Sequence, residues 1–242
     1  MSTEAHKISV GGLRIDVVRK PIKNLHVGVY PPHGRVRVAA PLAVSDDAVR
    51  LAVVTRLPWI KRQRARFADQ PRQSERAYVS GETHYFMGRP YRLRVIEGAP
   101  AGWVQVRSVK ALDLYVRSES DRDTRERVFL SWYREELRSQ AAPMIDKWVI
   151  KLDVPPPVWG IKRMKTKWGT CSVDAGRIWL NLELVKKPSR TLEYIVVHEL
   201  VHFLERQHSD RFVDLMDKSL PNWRTLRDEL NAEPLADEDW DR

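Results

Sequence analysis

The segment from Val196 to Leu204 places the strongest constraint on the fold and chemistry of this chain, because it combines two imidazoles and a carboxylate with an apolar helical pattern. In an α-helix His198 and His202 lie one turn apart on the same face, so both rings can reach one ion at the Zn–N distance of about 2.0–2.1 Å. Glu199 lies about 100° around the axis from His198, where a general base for a metal-activated water is expected. The pattern therefore predicts a metal-binding helix whose remaining surface is buried.

A catalytic zinc site takes three protein ligands and a water, so a third ligand is required. Glu205 would stay on the same face of a straight helix, seven residues after His198. His208 would point away from that face unless the helix, which the pattern extends over about 189–206, ends before it. Ser209 is typical of a helix start, which puts a turn directly before it. The sequence therefore favours His208 as the third ligand and leaves Glu205 as a supporting residue or an alternative ligand.

Cysteine usage narrows the choice of ion. The single cysteine, Cys171, excludes an internal disulfide and a site built from several thiolates, so histidines and carboxylates must hold the metal. His-rich ligation favours Zn²⁺, one ion per chain.

No apolar run approaches the roughly 20 residues that cross a bilayer, and Met1 to Ser9 lacks a signal-peptide pattern. We therefore expect a cytoplasmic protein without membrane contact.

Hydrophobic periodicity predicts an α+β chain. The alternation in residues 7–18, 24–30 and 35–40 indicates an antiparallel β-meander, followed by a helix that Ser45 caps and that restarts at Pro58. The further elements expected are strands at 84–87, 90–96, 102–107 and 112–117, a long helix at about 121–150, strands at 158–165 and 177–182, and helices at about 189–206, 209–218 and 222–231.

Motifs in the second half of the chain resemble those of the YgjP-like metal-dependent hydrolases, which are relatives of the SprT-like and Wss-type zinc peptidases. The resemblance implies a zincin-type fold with His198, His202 and His208 as zinc ligands and Glu199 as catalytic base. The segments that carry it, in order, are Met164–Ser172, Ile178–Asn181, Tyr194–His202, His208–Ser209 and Pro221–Arg224.

The sequence departs from the family pattern at Thr170, which replaces a serine, and at Trp179, which stands where asparagine is usual. Trp168 and Asn181 are candidate substrate-binding residues, although packing is the ordinary role of such a tryptophan. Residues 176–181 fit an edge strand that pairs with an extended peptide, and they fit an ordinary hairpin strand equally well.

The polar stretch at 70–76 and the run Pro155-Pro156-Pro157 are the candidate boundaries along the chain. The expected organisation is a basic N-terminal β-meander plus helix at 1–75, strands and a long helix at 76–154, a zincin-like catalytic region with the HExxH helix at 155–232, and an acidic tail at 233–242.

The net charge of +10 is concentrated in the first hundred residues, which contain 18 Lys and Arg against 8 Asp and Glu. Such an excess marks a polyanion-binding face or merely a basic soluble surface, and spacing along the chain does not show whether the charges share a face. Lys162, Arg163, Lys165 and Lys167, next to Trp168, form a second, shorter basic segment of the kind that contacts single strands. DNA or RNA is therefore a candidate partner beside a protein or peptide substrate, and the oligomeric state is left open.

These features predict a zinc-dependent metallopeptidase that hydrolyses peptide bonds by a zinc-activated water, with Glu199 as general base. The alternative is a nucleic-acid-associated protein whose basic N-terminal half binds DNA or RNA and whose peptidase acts on bound proteins. A metal hydrolase that cleaves another amide or an ester would share the same site chemistry.

Overall fold

The computed structural model describes residues 5–30, 34–69, 76–164 and 167–232. The chain divides into two compact units, one within residues 1–72 and the other within residues 73–237. Most of the expected polar linker, Lys165 and the acidic tail over 233–242 lie outside the described residues. None of the described helices combines the length and the apolar character that a bilayer-spanning segment requires.

The first unit pairs a four-stranded sheet with two helices. The elements are β1 (Ala5–Val10), β2 (Leu13–Lys20), β3 (His26–Tyr30), β4 (Arg35–Pro41), α1 (Asp46–Val54) and α2 (Leu57–Asp69). Strand order is β1-β2-β4-β3, and β2 and β4 run parallel, so the prediction of a simple antiparallel meander is wrong for this pair. Alternation along the sequence identifies the strands but not their neighbours. The two inner strands, β2 and β4, both have fully buried side chains in their middle, Val17 and Val38.

Local signals set the helices of this unit as the sequence predicts. The Ser45 side chain accepts a hydrogen bond from the Ala48 backbone N–H at 3.3 Å, which confirms the cap. The first helix ends at Val54, and the second restarts at Leu57 with Pro58 in its first turn, where a missing N–H costs nothing.

The second unit contains two sheets and four α-helices among its described residues, so the chain is of the α+β class, as expected. The elements are β5 (Thr83–Phe86), β6 (Arg89–Glu97), β7 (Trp103–Ser108), β8 (Ala111–Val116), α3 (Arg122–Leu152), β9 (Val158–Lys162), β10 (Gly169–Ser172), β11 (Arg177–Asn181), a 3₁₀ helix (Leu182–Lys186), α4 (Ser189–Val201), α5 (Asp210–Ser219) and α6 (Trp223–Ala232). One sheet has the order β5-β6-β8-β7 and the other β10-β11-β9.

One hydrophobic core runs through this unit, on both sides of the proline run at 155–157. Leu112 of β8 and Phe129 of α3 belong to the same buried cluster as Leu180 of β11 and Val197 of α4. Helix α4 is buried on most of its circumference, as the sequence predicts for the HExxH helix. The catalytic candidates therefore lie on a helix that the whole second unit holds in place.

A buried polar group lies at the base of the same core. The His84 ring packs 4.5 Å from the Phe129 ring, centroid to centroid, and its Nε2 lies 3.1 Å from a Glu82 carboxylate oxygen. Burial lowers the pKa of His84, against the opposing effect of Glu82, so the imidazole is neutral at pH 7.

We expect the free energy of unfolding to fall below pH 6.5 partly through His84. The unfolded chain takes up a proton near pH 6.5 whereas the folded chain does not, so stability is full above that pH and is lost as the pH falls towards the lowered folded pKa. Between pH 7.5 and 5 the loss from this group amounts to roughly 2 kcal/mol at most. Urea unfolding at both pH values, on wild type and on His84→Phe, measures it. An equal loss in both proteins would remove His84 from the account.

Candidate functional site

Helix α4 positions the first two histidines and the glutamate. His198 and Glu199 lie in its last turn, and His202 is the residue at which the helix stops. The helix was predicted to continue to about residue 206, but it ends at Val201, so this boundary is wrong by about one turn. The reason lies in the backbone. The N–H of Phe203 donates to the carbonyl of Leu200, three residues earlier, at 3.0 Å, whereas an α-helix joins residues four apart.

The early end of the helix brings His208 back to the other histidines. The tight turn after His202 reverses the chain, and Ser209 then caps α5 by accepting a hydrogen bond from the Phe212 N–H, as predicted for a new helix start. His208 is held directly before that cap.

The three imidazoles form a nearly equilateral triangle. Ring centroids are 5.0 Å apart for His198 and His202, 5.0 Å for His198 and His208, and 4.9 Å for His202 and His208. One nitrogen from each ring lies within 4.8 Å of the other two, and Nε2 of His198 is 3.1 Å from Nε2 of His208. Nitrogens bound to one tetrahedral zinc ion are similarly close, since each Zn–N bond is about 2.0–2.1 Å long.

The Phe212 ring packs against all three imidazole rings. Its ring centroid lies 5.0, 4.9 and 4.7 Å from those of His198, His202 and His208, and the side chain is 2 % exposed. Sequence reasoning missed this residue, because nothing in its spacing separates it from the other apolar residues of α5. Its place in the site comes from tertiary packing alone.

Glu205 contacts the histidine cluster through its backbone carbonyl. Its carbonyl lies 3.2 Å from Nδ1 of His202, so the Nδ1–H donates to it and leaves Nε2 with the free lone pair. The Glu205 carboxylate accepts the Gln207 backbone N–H at 3.2 Å. Among the described residues it does not join the group of side chains placed to share an ion, which consists of the three histidines.

The electrostatic setting favours neutral imidazoles. Burial, together with the two neighbouring histidines, lowers the pKa of His198 to about 3. Burial also lowers the pKa of His202, although its backbone hydrogen bonds partly oppose this. Nδ1 of His198 is buried without a hydrogen-bond partner among the described residues. Neutral histidine is the form that ligates metals, so the His198 and His202 side chains can take up an ion without first releasing protons.

Glu199 is buried beside this cluster, against a glycine of strand β10. A Cβ placed on Gly169 would lie 2.5 Å from Oε1 of Glu199, so only glycine leaves room for the carboxylate. Burial raises the pKa of Glu199 to about 8, and the positive charge of Lys167 opposes that rise. A carboxyl group with such a pKa can both accept and return a proton near neutral pH.

A cavity of about 590 Å³ opens beside the histidines and Glu199. Cys171 lines it, and burial followed by the charge of Glu199 raises the pKa of this thiol to about 11, which makes it a poor nucleophile at neutral pH. At the rim an exposed ion pair joins Arg206 to Asp174 at 2.5 Å, linking the turn after α4 to the β10–β11 turn. Other lining residues are Lys167, Thr170 and Ser172.

The strand along this cavity is β10, which the sequence did not predict because Gly169–Ser172 is short and poor in strand-forming residues. The segment 176–181, interpreted as a candidate edge strand, forms the central strand β11, which pairs with both β9 and β10. The edge-strand interpretation is wrong, and in the described sheet β10 and β9 are the two edge strands.

Asn181 and Trp168 lie behind the cavity. Asn181 is fully buried, and its side-chain nitrogen donates to the carbonyls of Met164 and Lys167, both at 2.8 Å. Trp168 is 9 % exposed, and its carbonyl accepts the Asn181 N–H at 2.9 Å. Neither side chain lines the cavity, and Asn181 holds the segment that leads into β10.

The chain was also compared with known protein families and structures. A family model described as the YgjP-like metallopeptidase domain matches residues 24–233. The chain belongs to the YgjP-like metallopeptidase family. Membership confirms the resemblance inferred from the motifs and makes this protein a metallopeptidase that acts on protein or peptide. No curated protein matches it.

Two crystal structures of metallopeptidase zymogens are similar to part of this YgjP-like protein. Abylysin of Pyrococcus abyssi is 21 % identical with a TM-score of 0.36, over 37 % of this chain and 90 % of that one. Jannalysin of Methanocaldococcus jannaschii is 23 % identical with a TM-score of 0.35, over 38 % of this chain and 87 % of that one.

Proposed function

We propose that this YgjP-like metallopeptidase is zinc-dependent and that His198, His202 and His208 hold the ion, in a zincin-like catalytic region with α4 as the active-site helix. The triangle of imidazoles, with all three ring separations at 4.9–5.0 Å, carries this proposal. Three histidines leave a fourth tetrahedral position open, which distinguishes a catalytic zinc site from a structural one.

The residues present fit a zinc ion. The described ligand set is entirely imidazole, the Nδ1–H of His202 is directed to the Glu205 carbonyl, and the pKa of His198 is low enough to keep its ring neutral. When bound, zinc acts as a Lewis acid that lowers the pKa of a water and polarises the substrate carbonyl.

Glu199 is proposed as the general base. Its carboxylate takes a proton from the attacking water and returns it to the leaving amine as the C–N bond breaks. Gly169 holds the carboxylate on the cavity side of β10, because the bare Cα lets the strand backbone approach it closely. Burial of Glu199 keeps the proton from exchanging freely with bulk water.

Strand β10 is proposed to bind the substrate. It is one of the two edge strands of its described sheet, and its residues line the cavity next to Glu199. An extended peptide can pair with such an edge through main-chain hydrogen bonds, which recognise a peptide backbone rather than a particular side chain. This favours a peptide over a small amide or ester.

Cleavage of a peptide library by the full-length protein tests the proposed function. Zinc-loaded protein, chelator-treated protein and chelator-treated protein given zinc again are incubated with the library, and new termini are read by mass spectrometry. We expect cleavage that disappears with the metal and returns with zinc. A zinc-loaded protein that cuts no peptide, or cutting that persists without metal, would contradict the proposal.

Gly169→Ala is expected to lower kcat by about 10- to 100-fold with little change in zinc content or KM. The added methyl meets Oε1, Cγ and Cδ of Glu199 at 2.5, 2.9 and 3.0 Å, so the carboxylate must move, and small displacements of a catalytic group are costly. Gly160→Ala is the matched control, because its methyl crowds the Trp179 ring at 2.5 Å in the same sheet but touches no candidate catalytic group. If both variants lose the same kcat, generic crowding explains the effect.

A further inference from the structure

The first sheet has one face packed against helices and an opposite face with exposed basic side chains. Val17 and Val38, in the middle of β2 and β4, are fully buried in a core with Val53 of α1 and Ile60 of α2. Side chains alternate along a strand, so their neighbours point the other way. We call this opposite side the outer sheet face, and its members in the two rows that matter are Lys7, Ser9, Arg14, Asp16, Gly28, Tyr30, Arg35 and Arg37.

The register of the strands places the cations of the outer sheet face next to one another. Lys7 pairs with Asp16 and Asp16 with Arg37, while Tyr30 pairs with Arg35 across β3 and β4. Adjacent strands lie about 4.8 Å apart, so side chains in these rows are close neighbours.

In these two rows of the outer sheet face, four cations lie beside one carboxylate. Lys7, Arg14, Arg35 and Arg37 are all exposed. The carboxylate belongs to Asp16, which lies 2.5 Å from Arg35 and is largely covered. Four of the 18 basic residues in the first hundred therefore share one face, and with Asp16 the net charge of these two rows is +3.

An aromatic ring packs against this face. A Cβ built on Gly28 would lie 2.7 Å from Cε2 and 2.9 Å from Cζ of Tyr30, so the ring occupies the space that a side chain at Gly28 would fill. Tyr30 remains 40 % exposed, so part of its ring is accessible to a ligand. Arg37 is the residue opposite Gly28 on the neighbouring strand.

We propose that the outer sheet face binds single-stranded nucleic acid. Cations would contact the phosphates, while the exposed Tyr30 ring would stack on a base, a combination that sheet surfaces use for single strands. In a duplex the bases are already stacked on one another and cannot reach such a ring. A membrane surface fits less well, because the two rows contain no large aliphatic side chain to enter the lipid. The proposal does not depend on peptidase activity.

Fluorescence anisotropy with labelled 20-nucleotide DNA and RNA single strands tests this proposal on the full chain across a salt series. The variant Lys7→Gln/Arg14→Gln/Arg37→Gln is expected to bind about tenfold or more weakly at low salt and to reduce the slope of log K against log [salt] by about 2. The matched control Lys23→Gln/Lys61→Gln/Arg62→Gln removes the same charge from exposed positions elsewhere in this unit and is expected to bind nearly as wild type.

Tyr30 gives the second arm of the test. Tyr30→Ala is expected to weaken single-strand binding about tenfold, whereas Tyr30→Phe, which keeps the ring, is not. Equal losses in both triple variants, or no binding by wild type at low salt, would overturn the proposal. So would duplex bound as tightly as single strand with no effect of Tyr30→Ala, or binding to phosphatidylserine vesicles without binding to the oligonucleotides. Circular dichroism and zinc content verify that the variants are folded.

Discussion

Glu199→Gln is expected to abolish peptide cleavage while zinc remains bound. Glutamine keeps the size of the side chain but cannot take a proton from water, so kcat should fall by about 10²- to 10⁴-fold, the range for loss of a general base. Zinc content should be unchanged, because the three histidines and their packing on Phe212 are untouched. Library cleavage and metal content, measured on the same preparations, check both halves of the expectation.

The variant also separates a chemical role from a structural one. Burial raises the pKa of Glu199 to about 8, so the folded protein does not favour the charge, and a neutral glutamine should not destabilise it. Glu205→Gln is the matched control, since it makes the same change in a carboxylate outside the histidine group. Cleavage that survives in Glu199→Gln, or that falls equally in Glu205→Gln, would contradict the assignment of the base.

His208→Ala is expected to lose both zinc and activity. Removing one of three ligands should cost more than the 10- to 100-fold in affinity that loss of a supporting residue costs. His208 is exposed and lies on the turn rather than on α4, so its removal leaves the core of that helix intact. Competition with a fluorescent zinc chelator measures the affinity, and circular dichroism verifies the fold.

Glu205→Ala decides between the two candidates for third ligand. Alanine keeps the backbone carbonyl that accepts the His202 Nδ1–H, so zinc affinity should stay close to that of wild type. The opposite pattern, with zinc lost in Glu205→Ala and retained in His208→Ala, would exchange the roles proposed for them.

Local sequence signals account for the elements but not for their arrangement. The helix start at Ser45 and the restart at Pro58 follow from side-chain capping and proline chemistry, which act within a few residues. The parallel pairing of β2 with β4 could not be predicted in this way, since it joins strands that are not consecutive in the chain and alternation does not identify a strand's neighbour.

The same division applies to the candidate site. His198, Glu199 and His202 follow from helix geometry, and His208 from the helix start at Ser209. The contact between Gly169 and Glu199 joins residues far apart in sequence and is set by how β10 meets α4, so periodicity could not reveal it. Phe212 was missed for the same reason.

The end of α4 at Val201 also bears on the order in which the parts of the candidate site form during folding. The three histidines fall within the stretch from 198 to 208, so bringing them together closes only a short loop, at a small cost in chain entropy. The setting of Glu199 needs Gly169, which is distant along the chain, and contacts of that kind form slowly. During refolding the triangle of histidines can therefore form before the Glu199 carboxylate packs against Gly169. We expect a partly folded chain to bind the proposed zinc ion before it can cut a peptide.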